Sequence, residues 1–434
     1  MQVPKHLKVL SKEEKSIIES EIQSNTLLGK KWLEKLRRYV SYYNHNLYSE
    51  AKSRFGFVYE IELMWYAKIF KLEIEKNRNH PPFDNSYLNA FMLIKNALPG
   101  SLEINEYADD VIADTKQALI DNNSKLNLSK PSPKLIDNFN HLLSESSFVK
   151  GVIILCPTPF SLFSLTVAEL CKKLGIEIIA IYTLKFTAKR FFYELKRDGF
   201  KLFTKRIWRK LILRGDENNH ASKVSLKKLH ELVSNHNNIK KFSRDNKINY
   251  FEIKEFSEIT KHSKTEGIFS VFTGGGLINQ ETLKNLDNKI INTHMGLLPH
   301  YKGMDVVESP LLDGQLDAVA LNTHLMTKGL DEGPLVQMVS FNPDDYECID
   351  ELRNEISAFM PIIALDSLCG LASERLKPIS QDLSIGKQYF FIENTLISMI
   401  NDVMKSRNND NSTKQVHRNK NISLFNNFIE LFSK

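Results

Sequence analysis

The sequence predicts an α/β fold: a parallel sheet covered on both faces, flanked by a helical N-terminal region and a helical C-terminal extension. Three neighbouring segments carry this reading. Val152-Ile153-Ile154-Leu155 is a continuous apolar run, as expected of a strand buried on both faces. Leu162 to Leu174 follows with helical periodicity, and Gly175 stops it. Ile176 to Tyr182 then forms a second apolar run. Strand, helix and strand within roughly thirty residues make a βαβ unit, whose two strands are parallel. The alternation resumes at Ile268–Phe272, a helical turn over Gln280–Leu286, Lys289–Thr293 and Ala318–Leu325. Residues 148–342 are therefore read as the α/β domain.

Ahead of it, residues 1–147 read as helical. Ser11-Lys12-Glu13-Glu14 is a capping box, and Ile17, Ile18, Ile22, Leu27 and Leu28 follow it at helical spacing. Further helices, near Leu47–Asn77, Asn85–Leu98 and Leu102–Asn122, are separated by Asn79-His80-Pro81-Pro82 and Pro99-Gly100. No chemical motif is recognised there, and its role is open. Asn123–Lys134, with Pro131 and Pro133, reads as a linker. Within the α/β domain, residues 185–249 form an insertion in which Lys189, Arg190, Lys196, Arg197, Lys205, Arg206, Arg209 and Lys210 alternate with aromatics such as Phe192, Phe200 and Trp208. A solvated basic face is the plainer account of it; a surface for an anionic substrate or for lipid headgroups is the sharper one, with nucleic acid a further alternative. Residues 343–404 read as a helical extension. Residues 405–434 read as a flexible tail, polar over Ser406–Asn421, whose short terminal helix (Ile422–Phe432) docks on the protein.

Composition narrows the classes. At 434 residues the chain exceeds one ordinary domain, and 42% hydrophobic with 25% charged residues argues against disorder or fibrous repeats. Pro361 and Asp366 interrupt the longest apolar candidate, Ala358–Ala372, which reads as a buried helix rather than a membrane span. The N-terminus shows no apolar signal region behind its charge, so a cytoplasmic location is expected. Cys156, Cys171, Cys348 and Cys369 lie far apart without C-x-x-C spacing, which excludes a disulfide framework and a cysteine-based zinc ribbon. No two histidines stand four residues apart, so no helical metal pair is expected. The net charge of +6 is mild; it permits an anionic partner and argues against nucleic acid as an obligatory one. A homo-oligomer is compatible with the sequence.

The chemistry concentrates between Phe272 and Val336. Asn292-Thr293-His294 ends an apolar strand, and Gly296-Leu297-Leu298-Pro299-His300-Tyr301-Lys302-Gly303 follows. A later strand ends in Thr323-His324, and Leu330-Asp331-Glu332-Gly333-Pro334 comes shortly after. Strand side chains alternate, so Asn292 and His294 point the same way, toward the sheet edge where α/β proteins bind ligands. An amide beside an imidazole can stabilise an oxyanion and relay a proton. Asp331 on its Gly-containing loop can tune or accept that proton. His324 reads as a scaffold histidine.

The ordered set Asn-x-His, Leu-Leu-Pro-x-Tyr-x-Gly and Leu-Asp-x-Gly-Pro resembles the 10-formyltetrahydrofolate-dependent formyltransferase family over residues 149–342. The resemblance implies a Rossmann-like fold, catalytic roles for Asn292, His294 and Asp331, and 10-formyltetrahydrofolate as co-substrate with no metal. It implies folate binding by the loop Thr273, Gly274, Gly275, Gly276, Leu277 and Ile278, and by Thr327, Gly329 and Gly333. Tyr301 and Lys302, in the second motif, are the candidate contacts to the amine acceptor, a small or carrier-linked molecule. Two departures bear on that acceptor. Cys156-Pro157-Thr158-Pro159-Phe160-Ser161 lacks the glycine of a phosphate cradle, which argues against glycinamide ribonucleotide. Gly296 replaces the serine of methionyl-tRNA enzymes, and residues 343–434 show no alternating strands of a basic β-barrel. An amino sugar, nucleotide- or carrier-linked, is thus the expected acceptor. Methionyl-tRNA formylation, formyltetrahydrofolate hydrolysis and a folate-binding scaffold with a silenced site are the alternatives. A dinucleotide oxidoreductase is disfavoured because Gly274-Gly275-Gly276 is not G-x-G-x-x-G.

Overall fold

A computed structural model describes residues 86–97, 100–121, 134–185, 236–260, 268–274, 278–389, 392–409 and 415–432, with isolated positions between 67 and 75 and between 225 and 231. The capping box at Ser11, the basic positions from Lys189 to Lys210, and Gly275, Gly276 and Leu277 lie outside the described residues.

The first elements fully within the described residues are α1 (Ser86–Ala97) and α2 (Leu102–Asp121), with a turn at Gly100 between them. Ile104, Ala108, Val111 and Leu119 form the buried face of α2. After β1 (Lys134–Leu135) and α3 (Leu142–Glu145), the βαβ unit appears as β2 (Gly151–Cys156), α4 (Leu162–Lys173) and β3 (Ile178–Leu184). Strand β2 is buried at every position. Ser161 caps α4 by accepting from the Ser164 N–H, and Gly175 leaves the helix at φ 70°, a conformation glycine adopts freely. Then follow α5 (Ile239–Asp245), β4 (Tyr250–Ile253), β5 (Ile268–Phe272), α6 (Gln280–Asn285), β6 (Ile290–His294), β7 (Tyr301–Gly303), α7 (Glu308–Leu312), β8 (Ala320–Leu325) and β9 (Leu335–Ser340). The chain continues through α8 (Ile349–Ala372), β10 (Lys387–Tyr389), α9 (Asn394–Asn409) and α10 (Gln415–Glu430).

Eight strands form the main sheet in the order β1-β9-β8-β6-β5-β2-β3-β4, and β10 pairs with β7 apart from it. The run from β6 to β4 is parallel. Strand β8 runs against both of its neighbours, a departure from a uniformly parallel sheet. The nine-residue loop from β8 to β9 (326–334) is too short for a crossover helix, so these strands must pair antiparallel.

Helix α8 packs on α4, β6, β8 and β9. By length and composition it is the one described helix apolar enough to cross a membrane, yet 78% of that apolar window is buried inside the protein. The C-terminal helices complete the same core. Phe425 packs edge-on against Phe359, with ring centroids 5.7 Å apart, and Phe428 packs against Phe139 at 5.3 Å. The terminal helix therefore docks on the α/β layer. The tract read as flexible is helical through Asn409 and again from Gln415. Helix α9 also meets the N-terminal pair, where Lys116 bridges to Asp402 at 2.9 Å and Arg407 donates to the carbonyls of Leu119 and Ile120. Described residues from both helical flanks and from the sheet thus share one apolar core.

Candidate active site

From β2 the chain moves outward to β3 and β4, then returns to β5 on the other side of β2. Connections leaving β2 and β5 diverge at such a reversal, and a crevice opens beyond the carboxyl ends of the strands. Thr273, buried, stands just after β5 at the carboxyl end of that strand. Its hydroxyl donates to the Leu155 carbonyl at 2.8 Å and lies 2.6 Å from the Ser164 hydroxyl, so this side chain ties β5 to β2 and α4. Gly274 adopts φ 108°, a region that side chains with a Cβ disfavour; a Cβ there would find space, its nearest neighbour being Pro157 at 3.9 Å. Ile278 is buried in the core beneath.

One strand over, the β6 and β8 register places Asn292 opposite His324 and His294 opposite Asn322. Residues directly opposite in an antiparallel pair share a face, so His324 comes within reach of Asn292. The Nδ1–H of His324 donates to the Leu325 carbonyl at 3.2 Å, which leaves Nε2 as the acceptor in the neutral ring. Asn292 Nδ2 lies 3.0 Å from that nitrogen and donates to it while the ring is neutral; once the ring is protonated, Nε2–H faces the Asp331 carboxylate instead.

His294 is buried, and its Nε2–H donates to the Tyr301 carbonyl at 2.8 Å. Its Nδ1 faces Asp331 Oδ2 at 3.4 Å. Asp331 itself sits in the loop joining β8 to β9 with φ 53°, and accepts from the Gly303 N–H at 3.1 Å. Its other oxygen lies 3.6 Å from His324 Nε2. The three sequence motifs therefore meet around one carboxylate. Burial opposes ionisation of Asp331, but His294, His324 and the Gly303 N–H outweigh it and hold the carboxyl down at about 2. Burial pushes the His294 imidazole below its ordinary value, and the Asp331 charge opposes that shift. A carboxylate held so low is a weak base at neutral pH, but it steadies positive charge on the neighbouring imidazole, so the pair is suited to passing a proton on.

The remaining candidates are placed otherwise. Tyr301 is buried, its ring stacked on Tyr389 at 4.9 Å and packed with Leu297, Val306 and Met338. What it offers the cluster is its carbonyl oxygen. Lys302 Nζ pairs with Glu332 Oε1 at 3.3 Å. Thr327 is exposed on the loop and Gly329 is partly buried. Gly333 is buried, and a Cβ there would drive into the Leu325 carbonyl, so close backbone approach accounts for this glycine. Two participants stand outside the sequence-derived trio. His324, read as scaffold, lies inside the cluster; its pairing with Asn292 required knowing that β8 runs antiparallel. Gln381 donates to the Asp331 and Gly333 carbonyls from far along the chain, and no sequence signal marked it.

Residues 253–363 match the family model described as formyl transferase. This segment runs from the last residue of β4 into α8 and contains Asn292, His294, His324 and Asp331, but not Gln381. The methionyl-tRNA formyltransferase of Pseudothermotoga lettingae is 31% identical over 122 residues, 28% of this chain and 39% of that protein. The methionyl-tRNA formyltransferase of Heliobacterium modesticaldum is 26% identical over 110 residues, 25% of this chain and 34% of that protein. The chain thus spans well under half the length of these curated relatives. Among solved structures, an N-formyltransferase from Helicobacter canadensis in complex with folinic acid and dTDP-3-aminofucose gives a TM-score of 0.37 at 10% identity, covering 59% of this chain and 80% of that one. Glycinamide ribonucleotide transformylase 1 from Symbiobacterium toebii gives 0.33 at 14% identity, covering 53% and 94%.

Proposed function

We propose that this protein is a formyltransferase that moves a formyl group from 10-formyltetrahydrofolate to a primary amine, with a nucleotide- or carrier-linked amino sugar as the acceptor. The observation that carries the reading is the convergence of Asn292, His294 and Asp331 at the carboxyl end of β6, one strand from the switch-point crevice, within the formyl transferase segment. A folate ring needs an apolar wall and exposed main-chain groups. The Gly274 turn, the partly buried Met326 and the exposed Leu330 are residues of the right kind. When bound there, the folate supplies an activated formyl carbon.

The residues of the chain do the rest. Asn292, its amide oriented by His324, gives its remaining N–H to the oxygen on which charge develops. His294 adds a polarisable ring beside that oxygen. The proton released by the attacking amine passes, directly or through a water molecule, to the Asp331–His294 pair, and its delivery to N10 as the formyl C–N10 bond breaks would release tetrahydrofolate. Amine deprotonation and oxyanion stabilisation are then supplied from one strand end and one loop.

Calorimetric titration with 5-formyltetrahydrofolate, a stable analogue, tests the first half of the reading, with His294→Ala as the partner variant. Micromolar binding to both proteins is expected, with formyl transfer lost only in the variant; absence of binding to both would overturn the folate reading. A set of acceptor amines, scored by tetrahydrofolate release, tests the second half. Changing Arg197, Lys205 and Arg209 together to Gln is expected to raise the acceptor KM with little effect on kcat. Formylation of methionyl-tRNA is the second reading, favoured by the names of the curated relatives. Transfer to charged initiator tRNA and to no amino sugar would select it.

A further inference from the structure

We propose that Gln381 is a positioning residue for the Asp331 carboxylate, and that the segment returning from α8 to β10 is a strap that holds the reactive loop in place. This rests on the reading of Asp331 as the reactive carboxylate. The strap is anchored on both sides of that loop. At its start, Leu335 and Ile379 exchange both backbone hydrogen bonds, each 2.8 Å, at the point where the loop enters β9. At its end, β10 runs parallel to β7, with the Lys387 N–H donating to His300 and the Met304 N–H donating to Tyr389. This second anchor fixes Gly303, whose N–H holds Asp331 Oδ2; β10 passes so close that a Cβ at Gly303 would strike the Tyr389 carbonyl.

Between the two anchors, the side-chain amide of Gln381 donates to the carbonyls of both Asp331, at 2.9 Å, and Gly333. Turning the amide over would set its oxygen against two carbonyl oxygens, so only this orientation is favourable. Asp331 needs such support. At φ 53° it occupies a backbone region that residues with a Cβ avoid, and its carbonyl lies outside any helix or strand ladder. The two amide protons supply the loop with the partners that a ladder would otherwise provide. Gln381 touches no reacting atom in this scheme. It acts through the backbone of Asp331, and so through the distance from that carboxylate to His294 and to the Gly303 N–H.

The test uses the full chain and Gln381→Met, which keeps the shape and removes the donors. Two readouts separate positioning from mere stability. The first is the titration of His294, followed by NMR of histidine-labelled protein and assigned by the signal missing in His294→Gln. The groups that face His294 are Asp331, His324 and the Tyr301 carbonyl, so retreat of Asp331 lowers its titration point. Gln381→Met is expected to move it toward the value in Asp331→Asn, and to move it no further when added to Asp331→Asn. The second readout is kcat for formyl transfer, expected to fall about ten- to a hundredfold with an unchanged KM for the formyl donor. Gln381→Asn, which keeps a shorter amide, is expected to give a smaller shift in the same direction, and it serves if the Met variant fails to fold. An unchanged His294 titration in a folded Gln381 variant would overturn the proposal. If the wild type transferred no formyl group, the functional reading would fail, while the titration would still decide whether Gln381 positions Asp331.

Discussion

Among the described residues, two buried aspartates lie beside histidines, and their surroundings differ. Asp366, on α8, sits 2.6 Å from His141 Nε2 and 3.0 Å from Arg375 Nη2. Glu145 in turn holds Arg375 at 2.7 and 2.9 Å. Asp331 has imidazoles at 3.4 and 3.6 Å and one backbone N–H at 3.1 Å. Arginine keeps its proton at any ordinary pH, so Asp366 faces a permanently charged partner. Imidazoles gain and lose protons near neutrality, so a carboxylate matched by them sits at one end of a usable proton path. A histidine beside a buried aspartate is therefore not in itself a sign of catalysis; the third partner decides.

Breaking the closed cluster should have the largest effect on stability. Arg375→Met leaves Asp366 and Glu145 without their guanidinium and is expected to cost about 3–5 kcal/mol, measured by denaturant unfolding. Binding of 5-formyltetrahydrofolate by the fraction that remains folded should be unaltered, and a loss of binding there would show that the two clusters are coupled. The mirror experiment is Asp331→Asn or His294→Ala. Each is expected to lower kcat about a hundred- to a thousandfold, with a loss of stability smaller than that of Arg375→Met. A large stability loss in both would remove the contrast between the two sites.

Gly333→Ala probes the loop backbone rather than its charges. The added methyl group must displace the Leu325 carbonyl, at an expected cost of about 1–3 kcal/mol together with reduced turnover. The pH dependence sharpens the electrostatic side. The His294 pKa is lowered in the folded protein, so the unfolded chain binds the proton more readily and stability falls as the pH drops below about 6.5. Asp331 is also depressed, so its contribution is present above about pH 4 and is lost as the pH falls toward its folded value of about 2. His294→Gln should remove the part of the decline nearest neutrality in a series of thermal melts and leave the more acidic part.

The smallest expected effect concerns the thiols. Cys156, Cys171 and Cys369 are buried, and burial pushes each thiol well up, Cys156 to about 12. Cys369 lies near Asp366 and Arg375, so its reactivity reports on the closed cluster. In the native protein a thiol reagent should label Cys348 alone, with the other three reacting only on unfolding. Rapid labelling of Cys369 would show that the Asp366 region opens.

Much of the fold could be read locally. Val152 to Leu155 had to be a strand buried on both faces, and the periodicity of Leu162 to Leu174 allowed only a helix. The alternation of strand side chains by itself sets Asn292 and His294 on one face. Such features depend on neighbours along the chain, and short-range sterics and hydrophobic periodicity dictate them. Other features lay beyond that range. Antiparallel β8 brings His324 onto Asn292. The inward turn of the Tyr301 ring leaves its carbonyl for His294. Helix α8 finds its burial against the sheet, and Gln381 reaches across to the carbonyls of the Asp331 loop. Each is a contact between segments distant in sequence, selected by the packing of the whole chain and by the need of every buried polar group for a partner. The sequence by itself determined which chemical groups this protein carries and in what order; only the tertiary structure decided which of them share a proton, because hydrogen bonds are set by distance in space.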